Sequence, residues 1–147
     1  MGGYEDGPKV EEVAGVSVIN FQMGLIEEDD AGNYFLAQET EYIPYNPGQL
    51  FGYAFTYINH TGKTVDLRTD WFLPDRPISV RIEEESAGEI ADYDESKYRI
   101  TYSSPVKPGR HDNLTYFYLD PGDPSGSHIF ELTIGGELFR MLIFIIG

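Results

Sequence analysis

Carboxylate side chains are the most abundant groups in this sequence that could do chemistry. The 147 residues include 25 Asp and Glu against 10 Lys and Arg, and the formal net charge is −15. The acids concentrate in two blocks, at residues 27–30 and between residues 83 and 95. Paired carboxylates can hydrolyse glycosides, but that chemistry needs a cleft and one acid with a raised pKa. Since neither block implies a cleft, both are interpreted as solvated loops.

Calcium binding is a second use that these oxygen ligands allow. The block at 27–30 does not follow the spaced Asp-x-Asp-x-Asp-Gly pattern of an EF-hand loop. Asp120, Asp123 and Ser125 could complete a site only if the fold brought them to it. A hairpin connection explains the block equally well, so we predict no metal site and leave loop calcium open as an alternative.

Histidine is the other residue type that could support metal or catalytic chemistry. His60, His111 and His128 each lie in or beside a predicted turn, and no two of them have the His-x-x-x-His spacing. Asp112, His111 and Ser127 match a hydrolase triad in type, but no nucleophile elbow or oxyanion loop accompanies them. The chain contains no cysteine, which excludes disulfides and thiolate metal sites. We therefore predict that the protein is not an enzyme and needs no cofactor.

The negative charge also limits the classes of partner. A net charge of −15 disfavours binding to phosphate backbones and to anionic lipid, so we predict no nucleic-acid partner and no membrane partner. The apolar run at 141–146 is six residues long, whereas about 20 are needed to span a bilayer. This run is interpreted as a buried strand. The charge instead favours a basic protein partner.

The two ends of the chain differ in character. Residues 1–12 are rich in Gly and acid and lack periodicity, which predicts a flexible acidic tail before a single β-sandwich domain at 13–147. The apolar run at 16–19 is too short for a signal peptide, and acids precede it where a basic segment is required. The default expectation is a cytoplasmic protein.

Alternation of apolar and polar residues predicts an all-β fold. Turn signals rich in Gly, Pro and Asn separate the alternating segments, and no long helical period is present. In the segment 49–59, four aromatic residues alternate with small or aliphatic ones, and the short connection that follows predicts a hairpin over 49–72. The predicted strands are 19–25, 33–43, 49–59, 64–71, 78–82, 98–102, 114–119, 128–134 and 138–146.

Several turn and strand residues form a further pattern. It consists of Gln38-Glu39-Thr40-x-x-Ile43-Pro44-x-x-Pro47-Gly48-x-x-Phe51-Gly52, then Pro108-Gly109, then Phe130-Glu131 and Gly135-Gly136-x-Leu138. The pattern resembles a bacterial family of small immunoglobulin-like sandwiches of unknown function, and it spans residues 16–146. The fold class predicted is an immunoglobulin-like antiparallel β-sandwich of about 7–9 strands. The resemblance implies no catalytic residues.

The tyrosines point to an interaction surface. The chain has 11 of them, and Tyr offers a large contact area at low entropic cost. Tyr116 and Tyr118 are expected to be exposed, as are the two tyrosines of the second acidic block. We predict an interaction surface at Glu83, Glu84, Glu85, Glu89, Asp92, Tyr93, Asp94, Glu95 and Tyr98.

These expectations combine into one leading hypothesis and two alternatives. The leading hypothesis is a non-enzymatic protein-binding module that acts through an edge strand or through its acidic, Tyr-bearing loops. The first alternative is an acidic inhibitor or immunity-type protein that neutralises a basic partner. The second is a carbohydrate-binding or hydrolase-associated domain. A sandwich architecture is compatible with this class, but no residue pattern favours it.

Overall fold

The computed structural model is an all-β sandwich. It describes residues 9–74, 99–119 and 122–147 in full and the backbone of residues 89–94. These ranges contain eleven strands, against the seven to nine predicted. The strands are β1 Val10–Val13, β2 Val16–Glu28, β3 Tyr34–Glu39, β4 Tyr42–Ile43, β5 Leu50–Asn59, β6 Val65–Phe72, β7 Glu89–Asp94, β8 Arg99–Val106, β9 Gly109–Tyr118, β10 Gly126–Ile134 and β11 Glu137–Ile146.

Two sheets form the layers of the sandwich. Sheet 1 has the order β1-β2-β5-β9. β1 and β3 both pair with the same edge of the long strand β2, β1 near its start and β3 near its end. Sheet 2 has the order β4-β11-β10-β6-β8-β7. All pairings are antiparallel except the short parallel pairing of β4 with β11. No helix in the described ranges is long and apolar enough to cross a membrane.

Aromatic side chains from both sheets fill the space between the layers. On β5, the alternate residues Phe51, Tyr53, Phe55 and Tyr57 are buried, as the sequence predicts. The Phe51 ring meets the edge of the Trp71 ring of β6 at 5.6 Å. Full burial of one such side chain contributes about 1.5–3 kcal/mol. This cross-sheet aromatic packing is the core of the domain.

The hairpin predicted over 49–72 is wrong. β5 lies in sheet 1 and β6 in sheet 2, so the two strands face each other across the core instead of pairing. Asn59, which is 3% exposed, directs the crossing. Its amide donates to the carbonyls of Lys63 and Val106 at 2.7 and 3.0 Å, and its Oδ1 accepts from the Thr61 N–H at 2.9 Å. Apolar and polar alternation indicates which face of a strand is buried but not which strand pairs with it. The hairpin prediction failed for this reason.

The strand predicted at 33–43 is two strands in different sheets. β3 pairs with β2 in sheet 1, whereas β4 pairs with β11 in sheet 2. The break falls at Thr40, whose backbone N–H donates to the Met23 carbonyl at 3.0 Å while its hydroxyl accepts from the Tyr42 N–H at 3.0 Å. The turn predicted at 27–33 is confirmed, since β2 and β3 are antiparallel neighbours joined by this segment.

Other boundaries shift by several residues. β1 begins at Val10, so residues 10–12, assigned above to the tail, pair with β2. β9 begins at Gly109, five residues before the predicted strand at 114–119. The predicted strand at 78–82 and residues 1–8 of the predicted tail lie outside the described residues.

Replacing Asn59 tests whether the crossing depends on its side chain. Asn59→Ala removes four hydrogen bonds and leaves the Lys63 carbonyl and the buried Val106 carbonyl without that partner. We expect urea denaturation to show a loss of about 3 kcal/mol in the free energy of unfolding. Thr64→Ala, at an exposed position in the same connection, is the control and should change stability by less than about 0.5 kcal/mol. Equal effects of the two substitutions would contradict this role.

Tyr53 predicts a pH dependence of stability. Its hydroxyl bonds the Thr69 hydroxyl of the opposite sheet at 2.6 Å, and burial raises the pKa of Tyr53 well above its ordinary value. A group whose pKa is raised on folding stabilises the protein below its unfolded pKa of about 10, and this stability is lost as the pH rises further.

Tyr53→Phe should therefore lower the free energy of unfolding by about 1–2 kcal/mol at pH 8, because the hydrogen bond to Thr69 is lost. At pH 11 the difference in free energy of unfolding between wild type and Tyr53→Phe should be smaller by about 1.4 kcal/mol, because only the wild type has the Tyr53 hydroxyl to titrate. Urea denaturation of both proteins at each pH is the measurement. A gap of the same size at pH 8 and pH 11 would be inconsistent with the raised pKa of Tyr53.

Candidate functional site

The predicted acidic interaction surface is only partly within the described residues. Glu83, Glu84, Glu85, Glu95 and Tyr98 lie outside them. Glu89, Asp92, Tyr93 and Asp94 belong to β7, an edge strand of sheet 2 that pairs with β8. The interpretation of residues 89–94 as a solvated loop is therefore wrong, because their backbone continues the sheet.

The histidines occupy three separate places in the structure. His60 follows β5, His111 lies on β9 in sheet 1, and His128 lies on β10 in sheet 2. His128 is fully buried, accepts from the Trp71 indole N–H at its Nδ1 at 2.9 Å and contacts the Pro124 carbonyl through Nε2 at 2.9 Å. Within the described part of the chain, no three His, Asp or Glu side chains are grouped to hold a metal ion.

The hydrolase triad rejected from the sequence is also divided by the fold. Asp112 and His111 lie on β9 of sheet 1, whereas Ser127 lies on β10 of sheet 2. Asp112 accepts from the Thr56 hydroxyl at 2.7 Å. His111 contacts the Pro108 carbonyl at 2.8 Å. Both side chains therefore make local contacts within sheet 1.

A different serine and histidine do meet. The Ser17 hydroxyl donates to Glu12 at 2.7 Å and contacts His60 Nε2 at 2.9 Å. Nucleophilic catalysis requires the histidine to stand between the hydroxyl and the carboxylate, so that the histidine can take the hydroxyl proton. Here the serine stands in the middle, and its proton already goes to the carboxylate. The arrangement fastens the edge strand β1 to β2.

The acidic block at 27–30 forms the connection between β2 and β3. Asp29 Oδ1 accepts from the backbone N–H groups of Ala31 and Asn33, both at 2.9 Å, which is the geometry of an Asx-type turn. The Asp29 N–H in turn donates to the Asn33 carbonyl at 2.8 Å. Turn formation accounts for Asp29, and the remaining acids of the block are exposed.

The most distinctive surface lies on β11. Leu138, Met141, Ile143 and Ile145 are exposed there, and Tyr42 of β4 extends the same face. We call these five residues the β11 stripe. Ile143 is 58% exposed, although it lies between the buried Phe144 and the partly buried Leu142. Contiguous exposed apolar residues on one face of a sheet are uncommon in monomeric proteins and mark interaction sites.

The prediction that the run at 141–146 is a buried strand is therefore only half correct. Phe144 and Ile146 enter the core, but Met141, Ile143 and Ile145 point to the outer face of sheet 2. A strand that is apolar on both faces is expected where both faces are covered. In the described residues nothing covers the outer face, so this run is the signal from which the stripe could have been found.

The backbone of β11 is open beside the stripe. The N–H groups of Ile145 and Gly147 donate to the Glu41 and Ile43 carbonyls on the β4 side of the strand. Backbone groups alternate in direction along a strand, so those of Met141 and Ile143 point to the same side. β4 is only two residues long and pairs with residues 145 and 146 alone, and no described backbone group pairs with Met141 or Ile143 on that side.

Carboxylates surround this open edge. A depression of about 310 Å³ adjoins it, and its lining includes Glu39, Glu41 and Arg140. Arg140 forms an ion pair with Glu11 and lies over the rings of Phe21 and Phe139, at 4.8 and 5.1 Å from their centres. The one cation in the lining is thus already neutralised, and Glu39 and Glu41 give the edge a negative character.

Comparisons with known proteins bear on the fold alone. No protein-family model matches the chain, and no curated protein sequence matches it significantly. The chain is similar in structure to an immunoglobulin-like protein from Pseudomonas aeruginosa, with a TM-score of 0.52 and 12% sequence identity. The similarity covers 99% of this chain and 100% of that one. The predicted fold class is confirmed: the chain is an all-β, immunoglobulin-like sandwich of two sheets.

Proposed function

We propose that this protein is a non-enzymatic protein-binding module that captures an extended segment of a basic partner along β11. The observation that carries the proposal is the coincidence of an open backbone edge with an exposed apolar stripe on the same strand. We also propose that the chain belongs to the bacterial family of small immunoglobulin-like sandwiches that its turn residues resemble.

Addition of a partner strand to the edge of β11 explains why the open backbone edge and the exposed apolar stripe occur on the same strand. A partner strand that pairs with β11 bonds to the backbone groups of Met141 and Ile143, and its outward side chains lie beside the stripe. Main-chain hydrogen bonds supply affinity in this mode, while alternate side chains supply specificity. The pairing would extend sheet 2 beyond the short strand β4. The partner segment is accordingly extended, with apolar residues at alternate positions.

The charge of the chain selects among such segments. The carboxylates of Glu39 and Glu41 line the depression beside the edge, and the whole chain carries a net charge of −15. A segment with Lys or Arg between its apolar residues meets complementary charge, which raises the association rate and excludes acidic competitors. The acidic residues of 83–95 contribute to this attraction through the overall field.

Peptide binding tests the chemistry of the partner directly. The probes are two sets of ten-residue peptides with Val at alternate positions, one with Lys and one with Glu at the positions between. We expect the Lys peptides to bind and the Glu peptides not to bind, because of the acids beside the edge. Binding should weaken as salt rises, as for an acidic inhibitor of a basic partner. Equal binding of both sets, or binding that salt leaves constant, would contradict the proposed charge selection.

Two substitutions of β11 test the location. Ile143→Lys places a charge within the stripe, and Ile143→Pro removes the N–H that points to the open side while leaving the bonds to β10 in place. Each should weaken binding of the Lys peptides at least tenfold in titrations followed by isothermal calorimetry.

Val10→Lys is the matched control, because Val10 is an exposed apolar residue on an edge strand of sheet 1. This variant makes the same change in charge as Ile143→Lys and should bind like the wild type. An equal loss in Val10→Lys and Ile143→Lys would show that charge alone, and not the β11 stripe, governs binding. Circular dichroism melting curves confirm that each variant is folded.

A further inference from the structure

The outer face of sheet 1 is curved into a trough. Gly24 of β2 and Gly52 of β5 are opposite each other in this sheet. A Cβ atom at Gly24 would lie 1.8 Å from the Gln38 carbonyl oxygen of β3, and one at Gly52 would lie 1.9 Å from the Thr115 carbonyl oxygen of β9. Both distances are far below van der Waals contact. The backbones of β3 and β9 therefore pass over the outer face on either side, which only glycine permits here.

One end of this trough is closed by side chains. The rings of Tyr34 on β3 and Tyr116 on β9 stack with their centres 4.8 Å apart and an interplanar angle of 24°. Ile26 of β2 is 1% exposed, although its cross-strand partners Leu36 and Leu50 place it on the outer face, away from the main core. The Tyr34–Tyr116 stack joins the two walls directly.

The other end of the trough is an open cavity. Its volume is about 360 Å³, within the range of about 300–1,000 Å³ that is usual for small-ligand sites. Gln22, Ala54 and Thr56 form the floor, while Tyr34 of β3 and Asp112 of β9 belong to opposite walls. Floor residues are small or polar, which leaves the volume free.

The lining combines apolar residues, among them Ile19 and Leu114, with the Tyr34 ring and with hydrogen-bonding groups. Gln22 carries an amide that can both donate and accept, and Thr56 carries a hydroxyl. Asp112 is the one carboxylate of the lining, and its Oδ1 is held by the Thr56 hydroxyl at 2.7 Å. The lining residues include no Lys or Arg, so an anionic ligand would meet negative charge only.

We propose that this trough binds a neutral saccharide. A sugar ring presents hydroxyl groups that donate and accept at its rim, and C–H groups on its faces that pack against an aromatic ring such as Tyr34. The Gln22 amide, the Asp112 carboxylate and the Thr56 hydroxyl match the first requirement. The stack of Tyr34 on Tyr116 holds its ring in place before binding, which lowers the entropic cost. The site lies on the opposite sheet from the β11 stripe.

A glycan array carrying neutral and acidic oligosaccharides tests the ligand class with the whole protein. We expect at least one neutral saccharide to bind and sialylated or sulfated glycans not to bind, since the lining lacks a cation. Calorimetry with the best neutral saccharide then gives its affinity. An array without any neutral binder overturns the proposal, and so does a preference for acidic glycans.

Variants of the floor test the location. Ala54→Leu fills the cavity from an outward position of β5, and Gln22→Ala removes an exposed amide without adding bulk. Each should weaken saccharide binding at least tenfold, and Gln22→Ala keeps the test valid should Ala54→Leu unfold the protein. Unchanged affinity in Gln22→Ala and in a folded Ala54→Leu would overturn the site.

Two controls separate this site from the proposed protein-binding site. Ile143→Lys should bind the saccharide like the wild type, because the β11 stripe lies on the other sheet. A folded Ala54→Leu should bind the Lys peptides like the wild type, because Ala54 contributes to the trough and not to the edge of β11. If Ala54→Leu and Gln22→Ala instead abolish peptide binding, the trough is a peptide site and the saccharide proposal fails. The two proposals can thus succeed or fail separately.

Discussion

The packing of one aromatic strand against the opposite sheet is the interaction on which this structure depends. β5 is central in sheet 1, and its buried residues meet Trp71, Phe130 and Phe144 of sheet 2. Apolar surface removed from water supplies the stabilisation, while the hydroxyl of Tyr53 adds a specific bond to Thr69 across the core. Because the sheets are joined through their inner faces, their outer faces are free to serve other purposes.

The two outer faces have different physical characters. Sheet 2 carries an exposed apolar stripe beside an open strand edge, which is suited to pairing with an extended chain. Sheet 1 is curved around a cavity with a mixed polar and apolar lining, because β3 and β9 pass over Gly24 and Gly52. Strong curvature suits a small ligand, while an open edge suits a polypeptide. The two proposals follow from this difference and concern separate surfaces.

Negative charge is distributed outside the core. The acids of 27–30 form a turn in which Asp29 bonds the backbone, and Glu39 and Glu41 lie at the junction where the chain leaves sheet 1 for sheet 2. Asp70 and Asp123 are buried, and Asp70 pairs with Arg68 at 3.0 Å and accepts from the Thr101 hydroxyl at 2.7 Å. A buried carboxylate needs such partners, whereas the exposed acids do not, and their charge remains available for attracting a basic partner.

The sequence by itself determined the fold class, the inward face of β5, the turn at 27–33 and the absence of disulfides. These depend on local properties: alternation fixes which side of a strand is apolar, and turn residues fix where strands end. Only the tertiary structure decided that β5 and β6 oppose each other across the core, that the segment 33–43 serves both sheets, and that one face of β11 is exposed. It also brought Tyr34 and Tyr116 together, although 82 positions separate them in the chain. Strand pairing and surface exposure are set by contacts between residues distant in sequence, and an apolar residue looks the same in the sequence whether its face is covered or open to solvent.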